Sequence, residues 1–296
     1  MAKRPIPEAH SVEELIALHS PDPNYPYFEN AAAHPFVPHA AAFDEVNSWW
    51  LAESALLVYN QREVVKGHMA TAGFLPGQVA CFGFDREHST QCFVAHNDDF
   101  VIVSFRGTQL DDPRDIITDL NFALTDSGQG GLAHTGFREA LDERSIGGPA
   151  LWDKIVAHLR QVRTTQPVWF TGHSLGAALA TLAADRFGQA QGLCTYGSPR
   201  VGDPAFVAQC VPQGVRFINE KDAVARVPLE KMGFKHVGDP RFLDEAGNIL
   251  TAEPDHHHMP EDLLDLLHRG VHKLLKPFAD HAPRIYATKL FNRVAA

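Results

Sequence analysis

The chain has 296 residues, 45% of them hydrophobic and 21% charged, with 26 lysines and arginines against 36 aspartates and glutamates. Such a length and composition suit one α/β domain with a sizeable core, while the net charge of −10 disfavours nucleic acid as a partner and offers no polybasic grip on anionic lipid. No run approaches the roughly 18 apolar residues of a membrane span, and "MAKRPIPEAHSVEELIALHS" lacks an apolar h-region. The expectation is therefore no Sec-type signal and a cytoplasmic location by default, with non-classical export as the other route.

Residues 1–45, rich in Pro, Ala and His, read as an arm laid over a single domain that occupies residues 46–296. From Asp44, "DEVNSWWLAESALLVYN" has helical spacing. Three strands follow, "QVACFGF", "TQCFVAH" and "FVIVSFRG", the last two joined by the turn "NDD". A helix is predicted around "LAHTGFREALDE", and another from Leu151 to Arg163 with Leu151, Ile155, Leu159 and Val162 on one stripe. The short apolar run "VWFTG" then starts a βαβ rhythm: a helix after Ser174, strand "GLCTYGS", a connection through "PRVGDPAFVAQC" and strand "GVRFINE". An irregular stretch leads to helices "EDLLDLLHRGVHKLL" and "APRIYATKLFNRV". The cysteines Cys81, Cys92, Cys194 and Cys210 include no CxxC pair and read as reduced structural thiols, with a Cys81–Cys92 bridge left open.

Gly172-His173-Ser174-Leu175-Gly176 matches the G-x-S-x-G elbow and sits where a strand gives way to an alanine-rich helix. A turn that sharp leaves no room for a Cβ at 172 or 176, and it projects the Ser174 hydroxyl above the sheet. The free N–H groups at the helix start favour negative charge, which makes the Leu175 N–H a candidate oxyanion donor. A serine hydroxyl needs a base held by an acid, in the order Ser, Asp/Glu, His for this topology. Asp222, after the second strand beyond the serine's, is favoured over Asp203, which reads as a loop residue or helix cap before "PAFVAQ". Among the downstream histidines 236, 256, 257, 258, 268, 272 and 281, His281 stands out because "FADHAPRIY" places it on a loop before a helix begun by Pro283. His268 and His272 with the triple histidine at 256–258 raise the alternative of a zinc site, but no acidic or cysteine ligand pattern accompanies them.

The blocks "VSFRGT", "DL" at Asp119–Leu120, "HTGF", "TGHSLGAALA", "YGSPRVGD", "RFINEKDAVARVP", "KHVGDPRF" and "DHAPRIY" resemble the fungal-type (class 3) lipases of the α/β-hydrolase fold, over about residues 45–292. The resemblance implies a mostly parallel central sheet with antiparallel N-terminal strands and helices on both faces. It implies Ser174 as nucleophile, Asp222 as acid and His281 as base, and adds Thr108 beside Leu175 in the oxyanion hole. Arg106 is expected to brace the loop at Thr108, and His134, though in a family block, has no assigned role. The implied activity is cofactor- and metal-free hydrolysis of acylglycerols or related acyl esters, with a small-molecule ester or lipid substrate, transient contact with a lipid surface and no obligate protein partner. Phospholipase, feruloyl-type and polyester hydrolases share the same triad, and a non-catalytic binding scaffold is the rival of another class. A charged stretch, "QLDDPRDII", stands where these lipases carry an amphipathic lid, so an open esterase site is expected unless the helix around Leu263–Leu274 covers it.

Overall fold

The computed structural model describes residues 2–41, 43–85, 89–107, 123–128, 130–144, 147–212, 214–254 and 275–295. The chain opens with α1 (Val12–His19), a short 3-10 turn (Ala31–Ala33), α2 (Glu45–Leu57) and α3 (Arg62–Thr71). Strands β1 (Val79–Phe82), β2 (Cys92–His96) and β3 (Val101–Phe105) follow, then the small pair β4 (Leu124–Asp126) and β5 (Leu132–His134). Next come α4 (Thr135–Leu141), α5 (Leu151–Val162), β6 (Val168–His173), α6 (Leu175–Phe187), β7 (Gly192–Tyr196), α7 (Pro204–Gln209) and β8 (Val215–Asn219). Strands β9 (Asp239–Leu243) and β10 (Ile249–Leu250) and helices α8 (Leu275–Ala279) and α9 (Pro283–Val294) complete it.

Eight of these strands form one sheet in the order β1-β2-β3-β6-β7-β8-β9-β10. The β3-β6-β7-β8-β9 stretch is parallel, and both edges are antiparallel. Strand β6 lies inside the sheet with helices on both faces, which is why "VWFTGH" is buried along its whole length rather than alternating. On one face α2 and α9 pack with Trp49, Leu51, Tyr286 and Phe291, and on the other α4, α5 and α6 pack with Phe137, Ile155 and Leu179. Five fully buried alanines of α6, at 177, 178, 180, 183 and 184, let that helix lie close against the sheet.

The first 41 residues join this architecture directly, since Tyr25, Tyr27, Phe28 and Phe36 are buried in the same cluster as α2 and α9. Arg4 fastens them: its backbone N–H donates to Asn292 Oδ1 at 2.7 Å, and its guanidinium meets Glu53 at 3.2 Å and lies 3.6 Å over the Phe291 ring.

Several elements differ from the sequence expectation. "LAH" is strand β5 rather than the first turn of a helix, because His134 ends the strand and caps α4, its Nδ1 accepting the Phe137 N–H. Helices α1 and α3 and strands β9 and β10 occupy stretches in which the sequence reading places no element, while α7 takes up the helix-cap alternative at Asp203. None of the four cysteines forms a disulfide, and Cys81 pairs with Phe93 while Cys92 pairs with Phe82, so the two face opposite sides of the sheet. The charged stretch at 109–117, the histidines at 256–258, 268 and 272, and all but the last residue of the helix predicted over 261–275 lie outside the described residues. No helix among the described residues is long and apolar enough to cross a membrane.

Candidate active site

Ser174 stands between β6 and α6 with φ 58° and ψ −130°, a conformation that a non-glycine residue holds only when its surroundings force it. Gly172 and Gly176 show what forces it. A Cβ on Gly172 would lie 2.2 Å from the Gly176 carbonyl oxygen, and one on Gly176 would lie 2.2 Å from the Phe105 carbonyl oxygen of β3. The first glycine thus admits the serine's own helix, while the second admits the neighbouring strand. Leu175 opens α6, where a backbone N–H has no carbonyl a turn earlier to bond. Thr108 lies outside the described residues, but Gly107 before it adjoins the elbow: a Cβ there would sit 3.2 Å from Ser174 Cβ.

Asp222 follows β8, and His281 follows α8, on the loop that leads into α9. The His281 Nδ1–H donates to both carboxylate oxygens of Asp222, at 3.0 and 2.9 Å. Oδ1 also accepts the Val224 and Ala225 N–H groups at 2.8 and 3.2 Å, and Oδ2 accepts the Tyr286 hydroxyl at 2.6 Å. Full burial alone would raise the Asp222 pKa, but the His281 ring and these donors hold it below the ordinary carboxylate value. Burial, with Asp222 adding to it, drives the Tyr286 phenol far above its usual range, so that it remains a donor. His281, Asp222 and Ser174 are all buried, and both Ser174 Oγ and His281 Nε2 have no hydrogen-bond partner among the described residues.

A second polar path runs under the imidazole. His173 Nε2–H donates to the His281 carbonyl at 2.6 Å, so its Nδ1 is the acceptor for the Tyr59 hydroxyl at 3.0 Å. Tyr59 in turn bonds the Gly107 backbone, and the rings of His173 and His281 lie 4.4 Å apart, centroid to centroid, tilted by 36°. Burial first, and His281 second, push the His173 pKa well down, which keeps this ring neutral. The end of β3, the elbow and the base-bearing loop are therefore joined by one chain of hydrogen bonds.

The competing candidates are placed elsewhere. Asp203 Oδ1 accepts the Phe206 N–H at 2.8 Å and the Leu132 N–H at 3.0 Å, as the N-cap of α7. His236 is engaged with the Ala225 carbonyl at 2.9 Å. Arg106 reaches back to Gln91 Oε1 at 2.7 Å and the Ser89 carbonyl at 3.4 Å, tying β3 to the start of β2. His134, besides capping α4, stacks on Phe137 at 3.8 Å. Among the described residues no group of three His, Cys, Asp or Glu side chains could hold a metal ion. Sequence reasoning did not find Tyr59, Tyr286 or Gly197. A Cβ on Gly197 would come within 2.6 Å of Asp222 Oδ2 and 2.8 Å of His281 Nδ1, and only the glycine in "YGSP" hinted at such crowding.

Residues 102–232 match the family Lipase (class 3). A secreted mono- and diacylglycerol lipase A of Penicillium camembertii is 33% identical over 173 residues, 55% of this chain and 54% of that one. A secreted mono- and diacylglycerol lipase 1 of Fusarium solani is 34% identical over 159 residues, 49% of this chain and 44% of that one. The chain thus spans about half the length of these curated relatives. A solved triacylglycerol lipase, described as having a serine protease triad for its catalytic centre, superposes with a TM-score of 0.54 at 26% identity, over 71% of this chain and 84% of that one. Because both relatives are named as secreted enzymes, the default expectation of a cytoplasmic location is corrected. The mostly parallel sheet with helices on both faces is the α/β-hydrolase fold, and its elbow lies within residues 102–232, the stretch that matches the class 3 lipase family.

Proposed function

We propose that the protein is a serine hydrolase of carboxylic esters, acting outside the cell on acylglycerols or related lipid esters. One observation carries the proposal: the strained Ser174 has a buried Oγ in the same buried centre as the Nε2 of an imidazole whose other nitrogen is bound to Asp222, and neither atom has a hydrogen-bond partner among the described residues. An unsatisfied buried polar pair is costly unless a reacting group completes it.

In the proposed reaction His281 Nε2 takes the Ser174 proton while Oγ attacks the ester carbonyl carbon. The Leu175 N–H, with Thr108 added by family resemblance, receives the negative oxygen. Collapse breaks the bond to the alcohol, which leaves with the proton from His281 and generates the acyl-enzyme. Water then gives its proton to the same nitrogen and its hydroxide to the acyl carbon, and the serine is restored as the acid departs. Asp222 holds the imidazole tautomer and stabilises the imidazolium.

An activity-based fluorophosphonate, followed by peptide mass spectrometry and assays on acetyl to palmitoyl esters, tests this. A phosphonyl adduct on Ser174 and turnover of the esters are expected. Absence of both the adduct and turnover would overturn it in favour of a binding scaffold, and turnover confined to phospholipid would redirect it to a phospholipase.

Tyr286 supplies a further check on the acid. Tyr286→Phe removes a charge-assisted hydrogen bond worth about 1.5–3 kcal/mol, so kcat is expected to fall about tenfold or more with a shifted pH–rate profile. An unchanged profile would mean that this hydroxyl does not govern Asp222.

A further inference from the structure

Three arginines lie together beside the turn that holds Asp222. Arg216 is on β8, where it alternates with Phe217. Phe217 packs in the cluster of α2 and α9, so the Arg216 side chain leaves the opposite face of the sheet. Arg200 comes from the segment after β7: its N–H donates to the Val227 carbonyl at 2.8 Å, and its Nη1 donates to the carbonyls of Arg226 and, at 2.9 Å, of Pro228. Arg226 ends the 3-10 turn Val224–Arg226, whose Val224 and Ala225 N–H groups are the two on Asp222 Oδ1. His236 meets the same turn, its Nε2–H donating to the Ala225 carbonyl at 2.9 Å.

The charges of this cluster do not balance. Arg226 meets Glu253 at 2.5 Å and Arg200 meets Glu230 at 3.4 Å, while Lys235 shares Glu230. Both carboxylates are thereby engaged. Arg216 is left over, and its Nε is buried with no hydrogen-bond partner among the described residues, as is the Nε of Arg200. Burial first, then Arg200 and Arg226, pull the Arg216 pKa down to about 10. Burial, with Arg216 and Arg200 adding to it, also pushes the His236 pKa well down, so that this ring is neutral and the surplus of positive charge stays on the guanidiniums. A buried guanidinium without an acceptor is costly, and like charges beside it raise the cost. The group that would relieve it is an acceptor with several oxygens and more than one negative charge. A phosphate fits, since it carries about two charges and at least three acceptor oxygens and matches the planar fork of arginine.

We propose that Arg216 and Arg200, with Arg226 beside them, form a binding site for a small free phosphate, separate from the centre at Ser174. Occupancy ties β8 to the Val224–Arg226 turn, and so steadies the two N–H groups that hold Asp222. A free ion is favoured over the phosphate of a lipid headgroup because the Arg216 guanidinium is largely buried on a strand, where a headgroup anchored in a membrane has poor access.

The test follows the melting temperature of the whole chain as inorganic phosphate replaces chloride at constant ionic strength. The wild type is expected to show a saturable rise, about 3 °C at ten times the apparent Kd. Arg216→Gln and Arg216→Met, each with a cooperative melting transition that shows it to be folded, should lose the rise. Absence of a saturable rise in the wild type would overturn the proposal without any variant, and the same rise in Arg216→Gln would overturn it as well. A larger rise with acetate than with phosphate would overturn the ligand class in favour of a carboxylate. Arg216-dependent binding to phosphatidic acid vesicles, with no response to inorganic phosphate, would overturn the free ion in favour of a headgroup. The link to Asp222 is read separately, as a rise in kcat on a soluble butyrate ester with the same phosphate midpoint. A thermal shift without that rise would overturn the link and leave the site standing. Only this last arm depends on Ser174 being the nucleophile of an ester hydrolase, so a failure of that reading shows as absent turnover and leaves the thermal result untouched.

Discussion

Ser174→Ala is expected to lower ester hydrolysis by at least about 10⁴-fold while leaving thermal stability nearly unchanged. The two halves of this expectation have one origin. Among the described residues Ser174 Oγ has no hydrogen-bond partner, so its removal orphans none of them. The backbone at 174 stays in the same φ 58° conformation with alanine, and the strain of the elbow is neither relieved nor increased. Steady-state rates on a soluble butyrate ester, with a melting curve of the same preparation, check both. Retention of more than a hundredth of the activity in a clean preparation would show that another residue is the nucleophile.

Asp222→Asn should cost about 10⁴-fold in kcat, whereas Asp203→Asn should stay within a few-fold of the wild type. At Asp222 every contact is a donor: two peptide N–H groups on Oδ1, the Tyr286 hydroxyl on Oδ2, and the His281 N–H between them on both oxygens. An amide can put its oxygen on only one side. Its NH₂ group then opposes the donors of the other side, the shared His281 N–H among them, which either frees His281 to take the wrong tautomer or unseats the 224–225 turn. At Asp203 both bonds fall on Oδ1, so an asparagine reproduces them and still caps α7. Rates and melting temperatures of the two variants side by side decide the matter, and loss of activity in Asp203→Asn with its retention in Asp222→Asn would reverse the assignment.

What could be read from the sequence was whatever had a local cause. The elbow is legible because two glycines around a serine answer to a steric demand within five residues, and Asp222 because counting strands is enough to choose it over Asp203. The helix from Leu151 showed itself through Leu151, Ile155 and Leu159, which are buried. Helix α3 did not, because it buries only Val65 and Met69 and offers too thin a stripe. Strand β9 was hidden by "DPR", whose charges and proline break the alternation even though it pairs with β8 and β10. The partners of the triad were hidden for another reason. His173 and Tyr286 meet His281 or Asp222, and Tyr59 meets His173, only through the fold, and no spacing along the chain records such meetings.

The bond between the Arg4 N–H and Asn292 joins residues 288 positions apart, and its neighbours, the Arg4–Glu53 pair and α1 against α9, are also distant in sequence. Contacts of this kind return nothing until a long loop has closed, whereas β2 with β3 or β6 with α6 close short ones. The central sheet and the elbow are therefore favoured to form early and the clasp between α1 and α9 late. Maturation of the protein then has an order of its own: a serine already held in its strained turn waits for the first and last helices to meet before its histidine is walled in.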